Sequence, residues 1–180
     1  MIRHLDPAQY RRTPWKNGGG TTIDIAEQDD VWRFGRTPIT APGPFSDYAG
    51  FDRVQVLVAG RGLVLETPDG EIDVRTPFKP VRFRGETPIV SRLEAGPVEV
   101  VNLIGKRSDV SIDIVVLAAG QSASIRKGTH LAYAAAGAAT VDGHDVPADH
   151  CLHIEAAGPT MITCMGGKLL LGSVTCVSRS

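Results

Sequence analysis

Glycine and proline recur every eight to fifteen residues through most of this chain, and the segments between them are short and rich in Val, Ile, Leu and Thr. Such punctuation leaves little room for long helices, because an ordinary helix needs about ten or more residues free of these breakers. No segment carries a helical period of any length. The runs TTIDIAE, WRFGRT, GLVLETP, PVRFRG, VEVVNLIG, SIDIVVLAAG, AYAAAGAATV, HCLHIE, PTMITCMG and KLLLGSVTCV read as strands instead. In VQVLVAG, alternation puts Val54, Val56 and Val58 on one face and Arg53, Gln55, Leu57 and Ala59 on the other. The expected fold class is all-β.

Two Asp-Gly pairs, in PDGE at 68–71 and VDGH at 141–144, lie between β-rich runs, where both positions tolerate the positive φ of a tight hairpin. Their surroundings correspond: strand, Gly, strand, Asp-Gly turn, then a Pro-containing approach to another strand. This points to an internal repeat of roughly 70 to 80 residues. It predicts two stacked all-β modules with a boundary near Lys106 to Asp109.

Composition narrows the function classes. The formal net charge is -1 and the 19 Lys and Arg residues are scattered, which argues against nucleic acid as a partner. No run approaches the roughly 18 apolar residues of a membrane span, and MIRHLDPAQY has no apolar core behind its charges, so a cytoplasmic protein without a membrane partner is expected. Cys151, Cys164 and Cys176 suit buried reduced thiols better than a disulfide framework or zinc ribbon. Exposed strand edges make a homodimer possible.

The stretch PWKNGGGTTIDI, Pro14 to Ile25, admits three readings. It lacks the Gly-Lys-Ser/Thr of a phosphate-binding loop. It is either a plain turn opened by Asn17-Gly18, or a turn that lets Trp15, Lys16 and Asn17 close over a pocket mouth. In DHCLHI, Asp149, Cys151 and His153 share a strand face, a mixed donor set that suits a half-buried polar face better than a metal.

The order of Gly, strand, turn, Pro and strand resembles the cupin barrel, whose pattern G-x5-H-x-H-x3/4-E-x6-G and G-x5-P-x-G-x2-H supplies three His and one Glu to a metal. Counting back seven from Gly60 puts Arg53 at the Glu position, and five on from Pro77 puts Arg82 at the last His. The same count from Gly137 gives His130, with Ser124 and Arg126 at the His pair and Leu152 at the last position. Neither half spells out a metal cage, so no metal or other cofactor is expected. Arginine at a former metal position would turn a cation site into an anion site, since its planar fork fits a carboxylate.

Further stretches, PWKNGGGTTIDIA, Trp32-Arg33, GPFSDYAGFDR, LVAGRGL and GPVEVVNLIGKR, resemble the HutD/Ves family of bicupin proteins. The chain departs from the family pattern at Gly35, Arg36 and Thr37, at Val100 and at Ile104. The resemblance implies two stacked cupin-type β-barrel or jelly-roll modules, 1–107 carrying the signature pocket and 108–180 following it. It implies no established enzymatic activity and a small anionic metabolite bound without metal, in regulation of histidine catabolism or stress response. The ligand-binding candidates are Trp15, Lys16, Asn17, Arg33, Ser46, Arg53, Arg82 and Asn102. The alternative is a metal-independent cupin enzyme, isomerase or hydrolase-like, using Asp47, Asp52 or His130 on a small acidic metabolite.

Overall fold

A computed structural model describes residues 1–15 and 17–177. Among them run nineteen strands and one 3-10 turn, Pro7–Gln9. The first eleven strands are β1 (Ile2–Leu5), β2 (Arg11–Pro14), β3 (Thr21–Gln28), β4 (Trp32–Ile39), β5 (Gly43–Pro44), β6 (Phe51–Ala59), β7 (Leu63–Thr67), β8 (Gly70–Val74), β9 (Val81–Arg84), β10 (Val90–Leu93) and β11 (Val98–Lys106). The rest are β12 (Val110–Ala118), β13 (Ser122–Ile125), β14 (Gly128–Ala136), β15 (Ala139–Val141), β16 (His144–Val146), β17 (Cys151–Ala156), β18 (Thr160–Met165) and β19 (Lys168–Cys176). No helix among the described residues is long and apolar enough to cross a membrane.

The strands form four sheets. A six-stranded sheet runs β2-β3-β4-β11-β6-β9 beside a four-stranded one, β5-β10-β7-β8. A five-stranded sheet runs β1-β17-β14-β19-β12 beside a second four-stranded one, β13-β18-β15-β16. The order β4-β11-β6-β9 recurs as β12-β19-β14-β17, and β5-β10-β7-β8 recurs as β13-β18-β15-β16, so the chain traces one eight-strand path twice. It passes between the two through Arg107 to Asp109, where Arg107 is held by Asp52 at 2.7 Å and by Glu86. β1 lies outside this scheme: its pairing with β17, from Ile2 opposite Ile154 to Leu5 opposite Cys151, ties the N-terminus to the later sheet.

Both Asp-Gly hairpins form, though not on the same residues. Val141 faces His144, so Asp142 and Gly143 make the two-residue turn with φ of 49° and 79°. In the first, Thr67 faces Gly70; Pro68 and Asp69 are the turn, and Gly70 opens β8 with φ of 125°. Cys151 and Cys164 are buried free thiols, whereas Cys176 is exposed, contrary to the expectation that all three are buried.

Three apolar layers hold the sheets together. The largest lies between the six- and five-stranded sheets and draws Phe34, Val54, Val56, Val101 and Leu103 from one side, Ile112, Leu131, Tyr133, Leu170 and Val174 from the other. Each large sheet has a second layer against its own four-stranded partner, with Leu57, Leu63, Leu65 and Val100 in the first and Ala132, Leu152, Leu169 and Leu171 in the second. Strands buried on both faces read as nearly continuous apolar runs, as VQVLVA and KLLLGSV do. Polar residues on such strands are therefore conspicuous.

Phe34 is fully buried in the central layer, edge-on to the Tyr133 ring at 6.1 Å. Phe34→Ala is expected to cost about 3–5 kcal/mol by loss of contacts and a cavity. Urea unfolding monitored by circular dichroism checks this.

Candidate functional site

The polar break in the apolar runs falls on the face of the six-stranded sheet turned toward β5-β10-β7-β8. Alternation sends Val54 and Val56 of β6 into the central layer and leaves Arg53 and Gln55 on the opposite face, as read from the sequence. On neighbouring strands Ile104 pairs with Arg53 and Arg33, and Asn102 pairs with Gln55 and Gly35. Gly35 keeps the floor open where β3 comes close, since a Cβ there would lie 2.9 Å from the Ile23 carbonyl. Trp15, Thr22, Phe45, Ser46 and Tyr48 close the cavity, whose volume is about 50 Å³. In this measure a water needs about 10–15 Å³, so the space suits the head group of a small ligand.

The Gly-rich stretch serves the rim of this cavity. Gly18 turns the chain with φ of 72°, and the indole of Trp15 lies so close to Gly20 that a Cβ would stand 3.0 Å from its ring. Trp15 donates its indole N–H to Thr22 Oγ1 at 3.0 Å, and Thr22 in turn bonds Thr37. Asn17 accepts from the Gly19 N–H at 3.0 Å and donates to the Pro44 carbonyl, so it shapes the turn and is absent from the cavity lining. Lys16 lies outside the described residues.

Arg53 dominates the electrostatics. It is 7% exposed, and no carboxylate among the described residues pairs with it. Its Nη2 donates to Asn102 Oδ1 at 3.3 Å, and its guanidinium carbon sits 5.0 to 5.6 Å from the ring centres of Phe45, Phe83 and Tyr48. Burial pulls its pKa down to about 10, which leaves it charged at neutral pH. Two buried atoms of this group have no hydrogen-bond partner among the described residues, Arg53 Nε and Gln55 Oε1. Arg33 also lines the cavity but is already neutralised, with Glu27 at 3.3 Å and Asp24 at 3.6 Å.

Arg82 does not join this site. In the β6–β9 register Phe83 is opposite Arg53 and Arg82 is opposite Val54, so the guanidinium emerges on the other face. There it donates to the Ile112 carbonyl at 3.0 Å and pairs with Asp113, with its side chain half exposed. A motif count that misses by one residue reverses the side of a strand, and that is what placed Arg82 in the pocket. Trp15, Arg33, Ser46, Arg53 and Asn102 do come together. Thr22, Thr37, Phe45 and Tyr48 join them without any signal in the sequence pattern, and Gln55 joins them from the Arg53 face of its strand.

The polar groups lining the cavity, two guanidiniums, two amides and hydroxyls, do not fit a metal ion. Among the described residues no three His, Cys, Asp or Glu side chains converge. In the DHCLHI stretch, Asp149 bonds Arg36 and Tyr133, Cys151 is buried, and His153 bonds Arg3 and Glu155.

A family model described as HutD matches residues 7–171. An uncharacterised 21.2 kDa protein of Pseudomonas putida, described as lying in the hutC 3' region, is 33% identical over 110 residues, and that match covers 58% of each chain. The solved structure of HutD from Pseudomonas fluorescens SBW25 is 28% identical and superimposes with a TM-score of 0.89 over 99% of this chain and all of its own. A cupin 2 conserved barrel domain protein from Leptotrichia buccalis, 10% identical, gives 0.54 over 87% of this chain and 88% of its own, a likeness of fold alone. The fold is all-β and cupin-like.

The groups considered for acid-base chemistry lie apart. Asp47 is exposed, Asp52 is held by Arg107, and His130 lies in the later repeat. His130 is 1% exposed, with Nε2 2.8 Å from the Arg126 carbonyl and Nδ1 2.8 Å from Ser173 Oγ. A carbonyl only accepts, so Nε2 carries the proton and Nδ1 accepts from the hydroxyl. Burial lowers its pKa, outweighing the Arg126 carbonyl and the nearby Glu155 carboxylate. A lowered folded pKa contributes stability above the unfolded value of about 6.5, and that contribution is lost as pH falls below it. Melting temperature should therefore decline from pH 7.5 to 5, and His130→Gln should flatten the decline.

Proposed function

The chain belongs to the HutD family, and from that premise we propose that it binds a small carboxylate metabolite without metal and acts in regulation of amino-acid, above all histidine, catabolism. The observation that carries this reading is Arg53, a charged guanidinium buried away from water with no carboxylate of the described residues to meet it. Taking such an ion out of water costs several kcal/mol, and a chain built only for stability would place an apolar side chain there. A carboxylate supplies the missing charge and two acceptors for the fork. Phe45, Phe83 and Tyr48 hold the guanidinium in place, so little entropy remains to be lost on binding.

The head group enters the small cavity and the rest of the ligand lies outward. Arg33, Tyr48 and Ile104 line both this cavity and an open basin of about 460 Å³ bordered by Glu27, Asp29, Asp30 and Trp32. The recurring strand path supports a bicupin arrangement, with modules near 1–107 and 108–180 and β1 carried on the second. The regulatory role in histidine use is supported by the family and by the hutC region named for the Pseudomonas putida relative.

A thermal-shift screen of small carboxylic acids from acetate to succinate, followed by calorimetry on the best binder, tests the reading. Arg53→Ala should weaken that binding by about 2 to 5 kcal/mol, while Arg82→Ala, on the other face, should leave it unchanged. Arg53→Met should lose binding yet melt no lower than the parent, because it removes an unpaired buried charge. Equal affinity for parent and Arg53→Ala would remove Arg53 from the site.

A further inference from the structure

The hydrogen bonds behind Arg53 fix more than its position. A guanidinium has donors only, so the Asn102 atom it meets at 3.3 Å must be the carbonyl oxygen. Gln55 meets the same oxygen at 3.0 Å and must therefore present its NH₂ to it. The amide orientation of Gln55 is thus set by charge, through Asn102, with no freedom to flip. What remains is Gln55 Oε1, an acceptor on a cavity-lining side chain that is fully buried and has no hydrogen-bond partner among the described residues.

A buried acceptor left unmet costs about 1–3 kcal/mol, and such groups are rare enough to need a reason. Arg53 Nε is the complementary case, a buried donor left unmet beside it. The two residues stand at i and i+2 on β6, their side chains on one face, and both heads lie within 3.3 Å of a single oxygen. A ligand carboxylate alone answers Arg53 and leaves Gln55 Oε1 unmet.

We infer that Gln55 makes this site selective for carboxylates that carry an N–H or O–H donor on the adjacent carbon, α-hydroxy acids and α-N–H acids, over carboxylates that lack one. This deepens the carboxylate-binding reading and rests on it. The carboxylate pairs with Arg53, and the donor, two bonds from the carboxyl carbon, gives its hydrogen to Gln55 Oε1. Thr22, Thr37 and Ser46 can rotate their hydroxyls to either role and impose no such choice. A group that accepts but cannot donate is rejected, because it would put two acceptors face to face.

NMR titration of the whole protein with acetate, glycolate and methoxyacetate tests the inference. Methoxyacetate keeps the second oxygen of glycolate and lacks its hydrogen. In the parent protein, glycolate should bind at least about 10-fold more tightly than either of the others. Gln55→Met, similar in shape and without the acceptor, should erase the glycolate advantage over acetate. Equal binding of glycolate and acetate by the parent, which needs no variant to fold, overturns the selectivity and leaves the Arg53 reading standing. So does a glycolate advantage that survives in Gln55→Met with its melting curve intact. If neither acid binds the parent at millimolar concentration, the carboxylate reading falls and the selectivity falls with it.

Discussion

A positive charge buried in an all-β core is the constraint around which the cavity is organised. The Arg53 guanidinium cannot shed its proton at neutral pH, so its surroundings must hold a cation with what neutral groups offer. They do so with one amide oxygen, from Asn102, and three aromatic faces, from Phe45, Tyr48 and Phe83. Cation–π contacts of this kind give about 0.5–2 kcal/mol each, enough to orient the fork but short of its lost hydration. The contrast with Arg33 is instructive, because Asp24 and Glu27 already satisfy that arginine from within the chain.

The fold makes such an arrangement stable by setting it on a rigid floor. β4, β6 and β11 are central strands of a sheet packed on both faces, and residues one apart on each serve opposite duties. On β4, Gly35 and Thr37 face the cavity, while Arg36 between them reaches Asp149 at 2.5 Å and Glu99 at 2.7 Å. On β11, Asn102 faces the cavity while Val101 and Leu103 belong to the central apolar layer. The later repeat follows the same strand path, but at the position that corresponds to Arg53 it has His130, whose two nitrogens are both satisfied by the protein. The four unmet buried side-chain atoms among the described residues all lie before Arg107, and of these Asp24 Oδ1 and Arg36 Nε have opposite charges within ion-pair distance whereas Arg53 Nε and Gln55 Oε1 do not.

Much of this was legible in the residues. Turn chemistry and breaker spacing announced an all-β chain, and both Asp-Gly turns appeared where the dipeptides stand, one shifted by a residue because Pro68 takes a turn position. The period of two in β6 separated Val54 and Val56 from Arg53 and Gln55 correctly, since that strand is long and regular. Short strands were missed: β1, β2, β5, β10 and β13 have two to four residues, too few for alternation to register. Arg82 was misplaced because barrel motifs fix spacing along the chain only loosely, whereas the side of a strand depends on every residue. Gln55 was passed over because its importance lies in a hydrogen-bond chain through Asn102, forty-seven positions away, which only the β6–β11 register brings together.

The central claim concerns one nitrogen, Arg53 Nε, buried and without a hydrogen-bond partner among the described residues. The direct measurement is a ¹H–¹⁵N spectrum of the arginine Nε region, with the Arg53 signal assigned by its loss in Arg53→Lys, recorded as acetate is added at constant ionic strength. The account predicts that this one signal shifts saturably while those of exposed Arg82 and Arg84 do not follow it. An Arg53 signal that stays still through the titration, or drifts in step with the exposed arginines, contradicts it.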